Sequence, residues 1–317
     1  MTATADVSRR QAWVMAARPQ TLPAGGAPVL IGVALAVADG VFAPLPAVAA
    51  LVGALLIQIG TNFANDYYDA VNGADTDDRE GFTRVTAGGL IEPERVKLAM
   101  IGSYGLAVLV GLYLVGLGGV PILAVGLSSI LAGILYTGGP YPYGYYGLGD
   151  LFVFVYFGLV AVTGTYYVQA VTTVGAGVFP LAIPAGTVTA ATALGGVAAG
   201  ALATCVLVIN NVRDLETDRE ADKRTLAVKF GYRFSRIEFC SLVGAAYVVP
   251  PLLWLGFDYH VAVLLPLLSA PLAARIATVV LEQTDGESLN PALERTGQLL
   301  ALYAILFAAG LLVPEVI

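Results

Sequence analysis

The stretch NFANDYYDAVNGADTDDREGFTR, Asn62–Arg84, follows the apolar run LVGALLIQIG, Leu51–Gly60, with only Thr61 between them. Asn62, Asp66 and Asp69 stand at i, i+4 and i+7, so at roughly 100° per residue they share one helical face. An apolar run that ends in clustered carboxylates reads as a membrane helix whose polar end does chemistry at the bilayer surface.

Working outward, the rest of the chain is of the same kind. Its 317 residues are 57% hydrophobic and only 12% charged, with a mean hydropathy of +0.78, far above that of soluble domains. A bilayer crossing takes roughly 20 mostly apolar residues. Nine stretches qualify, at 22–39, 44–64, 98–117, 119–136, 150–170, 188–210, 238–257, 259–281 and 297–313. The expected fold is therefore all-α: a polytopic membrane protein forming one domain over 1–317. With the N-terminus in the cytoplasm, nine crossings put all 16 Lys and Arg on one side, as the positive-inside rule asks. The expected location is the cell membrane, with the acidic loops cytoplasmic. Arg9 and Arg10 lead into QAWVMAARPQTLPAGG, which reads as an interfacial segment before a retained first span rather than a cleaved signal. Cys205 and Cys240 form no metal or disulfide pattern. Without a basic domain, nucleic-acid binding is not expected.

A second acidic segment, INNVRDLETDREADKRTLAVKFG from Ile209, ends the sixth span as the first ends the second. Asn211, Asp214 and Asp218 stand at i, i+3 and i+7, with Asn210 four before Asp214, and both segments run on into Asp-Arg-Glu. A single Asp at a span boundary is usually just a polar helix end. Two matching clusters are not, because carboxylates at a helix C-terminus oppose its dipole and repel one another unless a cation compensates. Asp and Asn without His or Cys suit a hard ion such as Mg²⁺, which prefers a few carboxylates, water and substrate phosphate. Two clusters suggest two ions clamping one diphosphate. Arg79 and Arg84 follow the first cluster, Lys223 and Arg224 the second, and both residue types bind phosphate. The same cations also satisfy the positive-inside rule without any ligand.

With these blocks in view, the chain resembles the UbiA superfamily of intramembrane prenyltransferases, and within it the branch that prenylates 1,4-dihydroxy-2-naphthoate in menaquinone synthesis. Four blocks carry the resemblance: ARPQTLPAGGAPVLIG from Ala17, NFANDYYDAVNGAD from Asn62, YTGGPYPYGYYGLGDLFVFVYFG from Tyr136 and NNVRDLETDREADKRTLAVKFG from Asn210. The two Asp segments resemble the superfamily; the Tyr136 block resembles the naphthoate branch. The resemblance implies nine transmembrane helices around a central cavity. It implies that Asn62, Asp66 and Asp69 with Asp214 and Asp218 bind Mg²⁺ and the prenyl diphosphate, Asn210 or Asn211 assisting; the expected assignment is Asn210 to the metal set and Asn211, with Asn62 and the cations Arg79, Arg84, Lys223 and Arg224, to the diphosphate. One departure is visible: an NDxxDxxxD pattern would put a carboxylate at Gly73, whereas the next one is Asp75.

The implied chemistry is electrophilic aromatic substitution, in which diphosphate leaves a long-chain prenyl donor and the allylic cation alkylates 1,4-dihydroxy-2-naphthoate with loss of CO₂. Apolar spans would keep water from the cation, and membrane lipid would surround the tail. Aromatic faces stabilise a passing cation. Of the tyrosines near the mouth, Tyr136 and Tyr141 are the expected participants, because the TGGP between them permits close backbone approach; most of the others read as an interfacial belt. Asp66, Asp69, Asp214, Asp218 and Arg84 complete the expected catalytic set. Two rivals stand beside this reading: a related enzyme with another aromatic or lipid acceptor, and a cation-coupled transporter, which would carry its carboxylates near the bilayer midplane. Gly196 and Gly200 make a small-xxx-small pair that serves either helix packing or oligomer contacts.

Overall fold

The computed structural model describes residues 7–73, 84–175 and 177–316, with side chains to 313. Every regular element among them is helical. Helix α1 (Arg9–Ala17) begins at a Ser8/Gln11 capping box and ends where Arg18 turns left-handed, φ 50°. A 3₁₀ turn then leads into α2 (Leu22–Ala38), and α3 (Pro44–Val71) follows. Each of these three starts with proline at a first-turn position, where the missing N–H costs nothing.

The next element, α4 (Pro93–Leu135), has 43 residues, too long for one crossing. It folds back on itself at Gly119, φ 64° and ψ −147°. In a straight helix the steps from Tyr104 to Gly133 would span about 43 Å. Instead, a carbon added at Gly133 would lie 2.6 Å from Tyr104 Oη. The positive φ and the Pro180 carbonyl packed on Gly119 leave no room for a side chain there. Among the described residues, eight helical stretches are long and apolar enough to cross a bilayer. Counting both limbs of α4 gives the nine expected crossings, in a multi-pass membrane protein.

After the loop 136–148, α5 (Gly149–Phe154) passes through a π-helical turn (Val155–Val160) into α6 (Ala161–Thr173). Helix α7 (Ala190–Arg213) is the hub: 72% of its apolar window is buried, against 22% for α4. Around it pack α2, α5–α6, α9 (Leu226–Gly256) and α11 (Gly286–Val316). The short α8 (Leu215–Glu220) and α10 (Ala270–Glu282) complete the order. Gly158 and Gly200 meet with a prospective Cβ of Gly158 only 2.5 Å from the Gly200 Cα. Gly196 contributes to the same crossing, so the small-residue pair serves packing within the bundle. Outward-facing Leu98, Leu109, Leu112, Leu127 and Leu131 on α4 are exposed, the pattern of a lipid-facing surface.

Candidate active site

The two acidic segments meet. The last turns of α3 bring in buried Asn62, Asp66 and Asp69; the end of α7 brings Asn210, Arg213 and Asp214; α8 brings Asp218. The expected single face over Asn211, Asp214 and Asp218 is interrupted, because α7 ends at Arg213 and Asp214 serves as its C-cap. Asp218 N still donates to the Asp214 carbonyl at 2.7 Å, so the chain bends and keeps both carboxylates on the inner side.

Each carboxylate is held by named partners. Asp66 accepts from Thr86 N at 3.2 Å and Thr86 Oγ1 at 2.5 Å, with Arg18 Nη2 3.9 Å away. Asp69 is paired with Arg84 at 2.8 Å and accepts from the Tyr145 hydroxyl at 2.5 Å. Asp214 is gripped through both oxygens by Arg213 Nε and Nη2, each at 2.7 Å. Asp218 lies 3.5 Å from Lys223 Nζ, which sits 5.0 Å above the Tyr145 ring. Such pairing is what buried charge requires.

These groups cap a cavity of about 410 Å³. Its polar end is lined by Arg18, Gln58, Asn62, Asn65, Arg84, Asn210 and Arg213, and its other end by Val29, Ala50, Leu114, Ile122 and Val168. From Asn62 to Ala50 the helix runs three turns and more, about 18 Å of depth. Arg18, Arg84, Arg213 and the four amides line the cavity; Asp69 and Asp214 stand behind them, bonded to Arg84 and to Arg213 and Asn210.

Several expectations on single residues change. Tyr141 is 57% exposed and stacks on Tyr146 with centroids 4.0 Å apart. It does not line the cavity, because the turn at Gly139 and Pro140 carries it outward; Tyr136 does line it, packed over Gly144 and Gly149. Asn210 is on the cavity wall, bonded to Arg213 and Asp214, whereas the buried Asn211 is not among the lining residues. Asn62 lines the cavity with its amide engaged by Ala17, Thr21 and Gln58. Arg224 is exposed and joins the site through its main chain, donating to the Tyr145 carbonyl at 2.6 Å. Arg79 and Asp75 lie outside the described residues.

Three residues were not singled out from sequence. Arg213 had been read only as one of the cytoplasmic cations, yet its side chain is 1% exposed and also bonds Asn210 and Asn290 of α11, at 2.8 and 2.7 Å. Tyr145 bridges the segments, touching Asp69 with its hydroxyl and Lys223 with its ring. Thr86 fixes Asp66 from the turn that precedes α4. Their signal in the sequence was proximity to the motifs, which many residues share. Nearby, Tyr143 donates to the Ala132 carbonyl, and burial pushes its phenol above the ordinary range.

The donor chemistry fits a hard divalent ion: the oxygens of Asp66, Asp69, Asp214 and Asp218 with Asn62 and Asn210 beside them, and no Cys or His in the set. Among the described residues no three acidic, His or Cys side chains converge into a ready-made cage. An ion here would take part of its shell from water and substrate oxygens, as Mg²⁺ commonly does.

A family model described as the UbiA prenyltransferase family matches residues 26–305. The chain is 40% identical to the 1,4-dihydroxy-2-naphthoate octaprenyltransferase of Escherichia coli (strain K12), across 98% of each protein. It is also 40% identical to the enzyme of that name from Mycobacterium tuberculosis, over 94% of this chain and 96% of that one. Among solved structures, a UbiA homolog from Aeropyrum pernix K1 superposes with a TM-score of 0.67 at 11% identity, over 98% of this chain and 100% of that one. A UbiA homolog from Archaeoglobus fulgidus bound to DMAPP and Mg²⁺ matches at 0.59 and 15% identity, over 93% and 98%. With the paired acidic segments, the apolar cavity below them and this match over most of its length, the chain belongs to the UbiA prenyltransferase family.

Proposed function

We propose that this enzyme transfers a polyprenyl group from a long-chain isoprenyl diphosphate to 1,4-dihydroxy-2-naphthoate, releasing CO₂ and diphosphate. The product is demethylmenaquinone, formed as its quinol. The observation that carries the reading is the junction of two buried Asp pairs and their cations with the polar end of a deep apolar cavity. The 40% identity to enzymes named for that acceptor supports it.

Asp66 and Asp69 on one side and Asp214 and Asp218 on the other would hold Mg²⁺, two ions when diphosphate is bound, with Asn62 and Asn210 beside them. The metal supplies neutralising charge to the diphosphate, which makes it a better leaving group. Arg84 and Lys223 would take up phosphate oxygens, a role supported by the lining position of Arg84 and by their pairing with Asp69 and Asp218. Arg18 and Arg213 extend the positive wall toward the cavity. The allylic C–O bond breaks, a ring carbon forms the new C–C bond, and the ring carboxylate departs as CO₂. Tyr136 presents an aromatic face to the reacting carbon, and the apolar walls exclude the water that would quench the cation. The tail continues toward Ala50 and Leu114 and into lipid. The acidic face is cytoplasmic and the membrane is the cell membrane, as the one-sided placement of Lys and Arg supports.

The test uses purified protein in lipid with Mg²⁺, a long-chain prenyl diphosphate and 1,4-dihydroxy-2-naphthoate, read by mass spectrometry. Prenylated, decarboxylated product with Mg²⁺ and none with EDTA is the expected result. Diphosphate release without that product would reassign the acceptor. Asp66→Ala and Asp214→Ala are each expected to lower turnover by at least about 100-fold, Asp214→Ala with a lower unfolding midpoint as well because it strands the buried Arg213; retained turnover in either folded variant would remove the two-ion arrangement.

A further inference from the structure

Gln58 lies one helical turn before Asn62 on α3, on the same face and deeper in the bundle. It is 6% exposed and lines the cavity. Its amide orientation follows from its neighbours. The Thr21 hydroxyl donates to the Arg18 carbonyl oxygen at 2.9 Å, so toward other groups it only accepts. It accepts from Asn62 Nδ2 at 2.9 Å and from Gln58 Nε2 at 3.1 Å. Asn62 Nδ2 also donates to the Ala17 carbonyl at 2.9 Å, which turns Asn62 Oδ1 toward Gln58 Nε2 at 3.4 Å.

The Gln58 amide nitrogen is thereby used up inside the protein, and flipping the group would set its oxygen against two acceptors. What remains is Gln58 Oε1, which is buried and accepts no hydrogen bond among the described residues. Buried carbonyl oxygens are normally satisfied, and an unsatisfied one is costly. Here the oxygen belongs to a residue on the cavity wall, two turns below Asp66. Under the proposed reaction the acceptor ring enters this part of the cavity, between the cations and the apolar end, to meet the first carbon of the prenyl donor. Arg18 lines the same end of the cavity, putting a positive charge within the reach of an aromatic carboxylate.

We infer that Gln58 Oε1 recognises the aromatic co-substrate by accepting a hydrogen bond from a ring hydroxyl, with Thr21 and Asn62 holding the amide in that orientation. The inference rests on the proposed naphthoate acceptor. A site built to pair with a hydroxyl discriminates strongly against analogues that lack it.

The test uses the full-length protein in lipid nanodiscs with Mg²⁺ and both substrates. Gln58→Met keeps the length of the side chain and removes the oxygen together with the amide nitrogen that bonds Thr21 and Asn62. It is expected to raise KM for 1,4-dihydroxy-2-naphthoate about tenfold while KM for the prenyl diphosphate stays within about twofold. Inhibition by 1-hydroxy- and 4-hydroxy-2-naphthoate against 2-naphthoate reads the same contact in the wild-type protein. At least one hydroxylated compound is expected to bind about tenfold more tightly, and Gln58→Met to abolish that preference. Equal inhibition by all three compounds overturns the inference even if the variant fails to fold. So does an equal rise in both KM values, which would mark a purely structural role through Asn62. If wild-type protein releases diphosphate but leaves the naphthoate unchanged, the acceptor reading fails first; a wild-type preference for the hydroxylated inhibitors would still uphold the Gln58 contact.

Discussion

At the scale of residues, charge compensation organises the site. Arg213 and Asp214 are adjacent in sequence and both buried, and their bidentate pair is completed by Asn210 and Asn290. Removing one partner of such a pair strands the other charge in a low-dielectric interior, at a cost of about 3–5 kcal/mol. Arg213→Ala is therefore expected to lower the thermal unfolding midpoint markedly as well as activity, whereas a cation serving only membrane orientation would leave the midpoint unchanged. Tyr145 gives a gentler test. A hydrogen bond to a charged group contributes about 1.5–3 kcal/mol. Tyr145→Phe frees Asp69 from its hydroxyl and is expected to lower kcat/KM for the prenyl diphosphate about tenfold or more, with Tyr141→Phe within twofold of wild type. Equal effects of the two changes would contradict the placement of Tyr145 against Asp69 and of Tyr141 outside the cavity.

At the scale of elements, close approach between helices decides how the acidic ends converge. Helix α7 carries Asp214 to the site and is pressed against α5–α6 where Gly158, Gly196 and Gly200 leave backbone against backbone. Without a hydrophobic driving force between helices in lipid, such van der Waals contact is the main source of association. Gly200→Leu would force these helices apart, since a first carbon added there already meets the Phe154 carbonyl oxygen at 2.5 Å. It is expected to destabilise the protein by about 3 kcal/mol or more, seen as a lower thermal midpoint in detergent or lipid. The reversal of α4 at Gly119 has a similar weight for topology. It returns the chain to the acidic side, so that the 136–148 loop can place Tyr136 and Tyr145 beside α3.

At the scale of the whole molecule, the bundle is held by apolar packing around α7, and the site occupies one end of it. Metal removal should therefore silence the enzyme without unfolding it. EDTA is expected to abolish prenyl transfer while the far-ultraviolet helical signal is unchanged, and Mg²⁺ to restore turnover. Mg²⁺ with a prenyl diphosphate should raise the thermal midpoint, since both bind the native state. Loss of helical signal on chelation would show that the ion belongs to the fold rather than to the reaction.

The sequence by itself determined the class of fold, the number of crossings and the two acidic segments. Those features rest on local properties: length of apolar runs, one-sided Lys and Arg, and helical spacing of Asn62, Asp66 and Asp69. Even the long α4 was legible as two crossings, 98–117 and 119–136, because its apolar run is about twice the length that one crossing takes. Only the tertiary structure decided which polar residues face the cavity. Asn210 rather than Asn211, Tyr136 but not Tyr141, and the unforeseen Arg213, Tyr145 and Gln58 owe their places to partners distant in sequence. A buried polar group takes the orientation that satisfies its hydrogen bonds, and those partners come from other helices. Spacing along one helix cannot reveal a constraint supplied by its neighbours.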